Sequence, residues 1–271
     1  MIATASDFVL ARATACDATA WLAAIPTAIA AIELLQVRSS WRDDGVWGWS
    51  ILRRELPARP RALRRMMDAL LGATGFTVVL ALQLGCALAL PWASGPWPAA
   101  IAWACVLAGA FRFRGAYHGG ADAMLLVVLG GLALARCDLD GALGSLGLAY
   151  VAVQLVLSYF IAGLVKLREP SWRSGAAMHE VLALPQYRAP NWARRWLDRP
   201  AIARGCAWIV VGFECLFPLA LFDPRAAVLL GAVAIAFHAA NVAVLGLNRF
   251  LWTWLAAYPA LAFVCTDLLA P

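Results

Sequence analysis

The chain has 271 residues, 63% of them hydrophobic and 14% charged, with a formal net charge of +6 and a mean hydropathy of +0.75. Soluble domains carry roughly 45–50% apolar and about 25% charged residues, so the composition excludes a soluble enzyme with a single anchor. The basic excess would suggest nucleic acid in a soluble protein; here it reads as arginine-rich loops beside anionic lipid, with no nucleic-acid partner.

A helix that crosses the hydrocarbon core needs about 20 mostly apolar residues. Eight segments approach that: 17–36, 69–90, 97–111, 121–136, 144–166, 204–222, 226–246 and 249–269, the third and fourth being short. The expected fold is all-α, a polytopic membrane helical bundle of about eight transmembrane helices. It is expected to form a single integral membrane domain over 1–271. Pro91, Pro96 and Pro98 bracket the second connection, and Gly246 with Asn248 marks a tight turn before the last helix.

Two polar stretches interrupt the apolar pattern. Residues 37–68 hold eight arginines against four acids. Residues 167–203 interleave Arg168, Arg173, Arg188, Arg194, Arg195 and Arg199 with Trp172, Trp192 and Trp196. That mixture suits segments at the headgroup level; ordinary cytoplasmic loops are the plain alternative. With eight helices and an outside N-terminus, inside connections collect 19 of the 22 basic residues, leaving Arg12, Arg136 and Arg225 outside. That asymmetry predicts both termini outside, in a multi-pass protein of the bacterial inner (cytoplasmic) membrane. Residues 1–15 lack the pattern of a secretory leader.

The seven cysteines (Cys16, Cys86, Cys105, Cys137, Cys206, Cys215 and Cys265) form no CxxC pair and no metal-ligand spacing. They read as small apolar packing residues, and no metal site is expected. No P-loop, GxSxG elbow or dinucleotide fingerprint is present.

Ionisable groups inside a membrane are costly and usually functional. Here they are His118, Asp122, Lys166, Glu214 and His238, joined by the polar Gln154 and Asn241. In the eight-helix arrangement His118, Lys166, His238 and Asn241 fall at similar depth near one face, and Glu214 near the middle of the sixth helix. His238 and Asn241, three apart, share a helix face. Each has a plain alternative. His118 in "YHGGAD" would serve as a cap beside a glycine turn. His238 would bond a neighbouring helix, as would Glu214. Two membrane histidines could also ligate a b-type haem, against which no second pair is found. His179 lies in the polar stretch and is expected to be solvated.

Lys166 is the only lysine among 22 basic residues. A helix-end lysine can simply snorkel, but an arginine would do so equally well. Arginine cannot give up its proton, whereas a partly buried lysine can act as a base. A unique lysine therefore points to proton chemistry.

The stretch "YFIAGLVKLREPSWRSGAAM" resembles the vitamin K-dependent gamma-glutamyl carboxylases and their bacterial relatives, the horizontally transferred transmembrane (HTTM) domain proteins. Tyr159 to Gly163, Lys166, Leu167, Trp172, Gly175 and Met178 carry the likeness. "YHGGADAMLL" is similar to the family's histidine at a helix start, "FHAANVAVLGLNRF" to its Phe-His-x-x-Asn segment, and "FECLFPLAL" to its Glu-containing helix. The resemblance implies that Lys166 is the base that deprotonates a hydroquinone, vitamin K or another quinol, and that His118 assists. His238 and Asn241 would line the pocket, with Tyr159, Trp172 and Glu214 completing the cofactor-binding set. The co-substrates implied are O2 and CO2, for carboxylation or epoxidation chemistry on a peptide or protein. Carboxylases present that substrate on a large further domain, so a soluble or membrane partner subunit is expected here beside membrane lipid. The alternative is a non-redox membrane subunit that matures or exports peptide toxins of the sporulation-delaying type. A transporter is disfavoured by the lack of an inverted repeat.

Overall fold

The computed structural model describes residues 5–57, 60–114, 119–187 and 189–265. It is all-helical, 83% helix, with no strand among the described residues. The helices are α1 (Ala5–Gln36), α2 (Arg38–Trp41), α3 (Trp49–Leu52), α4 (Arg61–Leu71), α5 (Ala73–Ala89), α6 (Trp97–Arg112), α7 (Gly119–Cys137) and α8 (Ala142–Arg168). There follow α9 (Pro170–Ser174), α10 (Ala176–Ala183), α11 (Asn191–Leu197), α12 (Pro200–Leu216), α13 (Pro224–Leu245), α14 (Asn248–Leu255) and α15 (Tyr258–Phe263).

Over most of its described residues each of the eight expected segments is helical, but they differ in length. Five described helical stretches are long and apolar enough to cross a membrane: Arg12–Gln36, Gly120–Cys137, Ala142–Arg168, Pro200–Leu221 and Pro224–Leu245. A sixth span appears if α4 and α5, bent by 64° at their junction, count as one. Helix α6 falls short at 16 residues. The last segment is broken between α14 and α15, where Ala256 and Ala257 leave the helix and Pro259 restarts it. Proline lacks the N–H an unbroken helix would need there, and is tolerated in a first turn.

Contacts divide the chain into two compact units, Asp17–Gly147 and Met1–Cys16 with Leu148–Pro271. In the first, Trp41, Phe76, Leu80, Cys105 and Phe113 form a buried core. Buried Arg112 donates to the carbonyls of Trp41 (2.7 Å) and Trp47 (3.2 Å). Its guanidinium lies 4.9 Å from the Phe76 ring and 5.1 Å from that of Phe113. At the other end of the unit buried Arg136 donates to Leu90 O (3.1 Å) and Asp17 Oδ1 (3.3 Å). Each arginine thus donates to a carbonyl at a helix end, Trp41 for Arg112 and Leu90 for Arg136, where carbonyls lack intrahelical partners.

The second unit packs α12 against α9, α10, α11 and α13. Helix α13 ends at Gly246 in the left-handed region (φ 73°), the turn expected before Asn248, which opens α14. Gly175 (φ 87°) separates α9 from α10, and a Cβ there would stand 2.6 Å from Arg204 N on α12. The conformation and the close approach both require glycine. The cysteines pair with nothing covalently; Cys16, Cys86, Cys105 and Cys265 are buried packing residues.

Candidate functional site

Helix α8 carries the centre of the site. Tyr159 and Lys166 are seven residues apart, two turns on one face, and both line a cavity of about 590 Å³ within the second unit. Small-molecule sites occupy about 300–1,000 Å³, so the volume is that of a ligand site. Its walls are mostly apolar, with Trp172, Phe237, Phe250 and Trp254 among the lining side chains.

Two polar pairs interrupt that lining. Lys166 Nζ donates to both oxygens of Glu214 on α12, each at 2.7 Å. The Glu214 side chain is 3% exposed and that of Lys166 19%. The ammonium also sits 5.1 Å from the Trp172 ring centroid, close enough for a cation–π contact. Gly163 makes this pair possible. A Cβ at Gly163 would lie 2.7 Å from Cys215 N and 2.9 Å from Glu214 Cβ, so only glycine lets α12 approach α8 here.

The other polar group is a row of three side chains. Tyr159 Oη lies 2.7 Å from His238 Nε2 and 2.8 Å from Tyr258 Oη. His238 is 1% exposed and is surrounded by the rings of Tyr159, Phe237, Phe250 and Trp254. Its Nδ1 has no hydrogen-bond partner among the described residues. Two proton arrangements satisfy the row. Either Tyr159 donates to Nε2 and accepts from Tyr258, or Nε2–H donates to Tyr159, which donates to Tyr258. The choice fixes whether Nδ1 is a donor or an acceptor.

The structure thus gathers Tyr159, Lys166, Trp172, Glu214, His238 and Asn241 around one cavity. Asn241 lies three residues after His238 on α13, and its side chain makes no hydrogen bond among the described residues. His118 falls outside the described residues. His179 is exposed and approaches Asp198 Oδ1 at 3.6 Å. No cluster of three metal-ligating side chains occurs among the described residues.

Three features of the site had escaped notice in the sequence. The Lys166–Glu214 pairing joins residues 48 positions apart, and no local spacing announces it. Tyr258 lies in "AAYPAL", where a polar hydroxyl in an apolar stretch was the available signal. Gly163 was visible only as part of a familiar stretch, not as the contact point of two helices. No family model, curated protein or solved structure matches the chain.

Proposed function

We propose that the chain is an HTTM-type membrane enzyme that uses the Lys166–Glu214 pair to take a proton from a lipid-soluble hydroquinone, for oxygen-dependent modification of a peptide or protein. The observation that carries this reading is the doubly bonded amine–carboxylate pair set in the wall of an otherwise apolar cavity. Eight crossings of a bacterial inner membrane belong to the same proposal, with α6 and the α14–α15 pair supplying the two that fall short by length.

The residues fit an aromatic ligand with polar edges. Trp172, Phe237, Phe250 and Trp254 offer ring faces, and polar atoms stand at two levels of α8, about 10 Å apart by helix rise. Lys166 with Glu214 forms one level, Tyr159 with His238 the other. A bound hydroquinone supplies an acidic O–H and the electrons that reduce O2, with CO2 as the further co-substrate in carboxylation.

The pair can act as a base in either of two proton arrangements. As an ion pair, the accepting atom is a Glu214 oxygen. With one proton moved from Lys166 to Glu214, it is the Lys166 amine. In both cases the pair gains one positive charge, which balances a ligand that has lost a proton, and its position in an apolar wall makes that balance strong. A partner subunit would present the peptide.

The test is quinol-dependent oxygen uptake by the purified protein, with naphthoquinol and benzoquinol both supplied. Wild type should consume oxygen, and the double variant Lys166→Met with Glu214→Gln, which has neither accepting atom, should fall by at least a hundredfold, in the range of lost acid–base catalysis. Equal uptake by both, or none from either quinol, would refute the assignment.

A further inference from the structure

A second feature lies in the other unit, far in sequence from the cavity just described. Helix α4 is amphipathic. Arg61, Arg64 and Arg65 are exposed on it, while Leu71 is buried and Leu63 and Met67 are half-buried. It meets α5 at 64°, the arrangement of a helix lying in the interface beside one that enters the membrane. A basic hollow of about 510 Å³ opens on one side of α4, lined by Trp49, Arg53, Arg54, Arg64, Met67 and Asp68 among others. On its other side an apolar groove of about 840 Å³ runs between α4, α5 and α6, with Leu63, Met67, Leu70, Ile101, Ala104 and Phe111 in its lining. Met67 lines both, so hollow and groove adjoin.

The charges in the hollow do not cancel. Asp68 accepts from Trp49 Nε1 at 2.8 Å and from Arg53 at 3.3 Å, so it is already engaged. Arg54 and Arg64 make no ion pair among the described residues. Among the described side chains that line the hollow, three guanidinium groups against one carboxylate leave two positive charges. The groove has the complementary property, for its lining is almost wholly apolar. It follows α6 from Phe111 to Trp97, roughly 20 Å at the helix rise. That exceeds one leaflet of hydrocarbon, half of about 30 Å. Its Phe111 end is the end that Arg112 ties to the Trp47 carbonyl, two residues before Trp49 of the hollow.

We infer that this paired hollow and groove is a binding site for one anionic glycerophospholipid, its phosphate between Arg53, Arg54 and Arg64 and an acyl chain along α6. Guanidinium groups recognise phosphate oxygens by paired hydrogen bonds as well as by charge. A zwitterionic lipid would fill the groove equally but bring no net charge to the hollow. Exposed arginines that merely face solvent would not sit at the mouth of a chain-length apolar groove.

The test uses the full chain, delipidated in detergent and offered equal phosphatidylglycerol and phosphatidylcholine of the same acyl chains, with retained lipid identified by native mass spectrometry. Wild type should retain the anionic lipid at least tenfold over the zwitterionic one. Replacing Arg53, Arg54 and Arg64 together by glutamine should lower that preference, by roughly fivefold for each guanidinium that reaches the phosphate. Ala104→Phe, at an exposed position in the groove, should reduce retention of both lipids and leave the preference intact. Equal retention of the two lipids by wild type would overturn the inference, as would displacement of the lipid by millimolar inorganic phosphate, which would make free phosphate the ligand. Should the triple variant lose helix by circular dichroism, Ala104→Phe decides alone: unchanged retention overturns the groove.

Discussion

Gly163 of α8 and Glu214 of α12 are so close that a Cβ added to the first would stand 2.9 Å from the Cβ of the second. Lys166 lies one turn further along α8 and reaches the Glu214 carboxylate across that contact. The sign of a Gly163→Ala substitution therefore tests the packing. In a helix free to relax, alanine stabilises by about 1 kcal/mol over glycine. Here it must push apart the backbone at Cys215, and overpacking of that kind costs about 1–3 kcal/mol. Thermal unfolding in detergent should show a less stable protein. A more stable one would mean that the helices do not meet at this point.

The same contact makes the pair itself measurable. Removing one partner of a buried ion pair costs about 3–5 kcal/mol, because the other charge is left alone. Glu214→Gln and Lys166→Met should each destabilise, toward the lower end since the lysine side chain keeps 19% of its exposure. The double variant should cost clearly less than the two together. Additivity within about 0.5 kcal/mol would show that the two groups are not coupled.

Much of this is legible in the amino-acid sequence. Apolar length located the long helices, and glycine marked the turn at Gly246. Lys166, His238, Asn241 and Glu214 stand out because polar groups are rare in apolar helices, Tyr159 and Trp172 only through the family resemblance, and all six gather at one cavity. The pairing of Lys166 with Glu214 was not legible. Hydrophobic periodicity fixes which face a residue occupies on its own helix, but says nothing of which helix it faces. The break between α14 and α15 was also missed, since hydropathy averages over a proline that backbone hydrogen bonding does not ignore.

The tyrosine row predicts an order of effects. Tyr159 bonds both His238 and Tyr258, so Tyr159→Phe leaves one buried and one half-buried polar group without that partner. Tyr258→Phe leaves the Tyr159–His238 bond in place. At about 1–3 kcal/mol for each buried group left unsatisfied, Tyr159→Phe should be the more damaging in thermal unfolding. The reverse order would place the main bond elsewhere.

Arg112 gives a sharper test of chemistry against charge. Its guanidinium holds two carbonyls and lies against three aromatic rings at once. Lysine preserves the charge but not the planar fork. Arg112→Lys should therefore lose about 1.5–3 kcal/mol, the worth of a charged hydrogen bond, and release the Trp41 segment to limited proteolysis. Wild-type stability in this variant would show that charge alone matters.

Membrane crossing by the first unit can be read from two exposed positions. Arg112 ties the end of α6 to Trp41 and Trp47, on either side of Asp44. Arg136 ties the end of α7, beside Cys137, to Leu90 at the far end of α5. Asp44 and Cys137 therefore lie at opposite ends of the unit, and both are exposed. If α5, α6 and α7 all cross, a membrane-impermeant maleimide added to intact spheroplasts should label wild-type Cys137 but not Asp44→Cys in a Cys137→Ser background. Permeabilised membranes should label both. The arginine asymmetry predicts which side is which, with the stretch around Asp44 expected in the cytoplasm. Labelling of both from outside would mean that α6, at 16 residues, dips into the bilayer without crossing it, and the count of spans would fall accordingly.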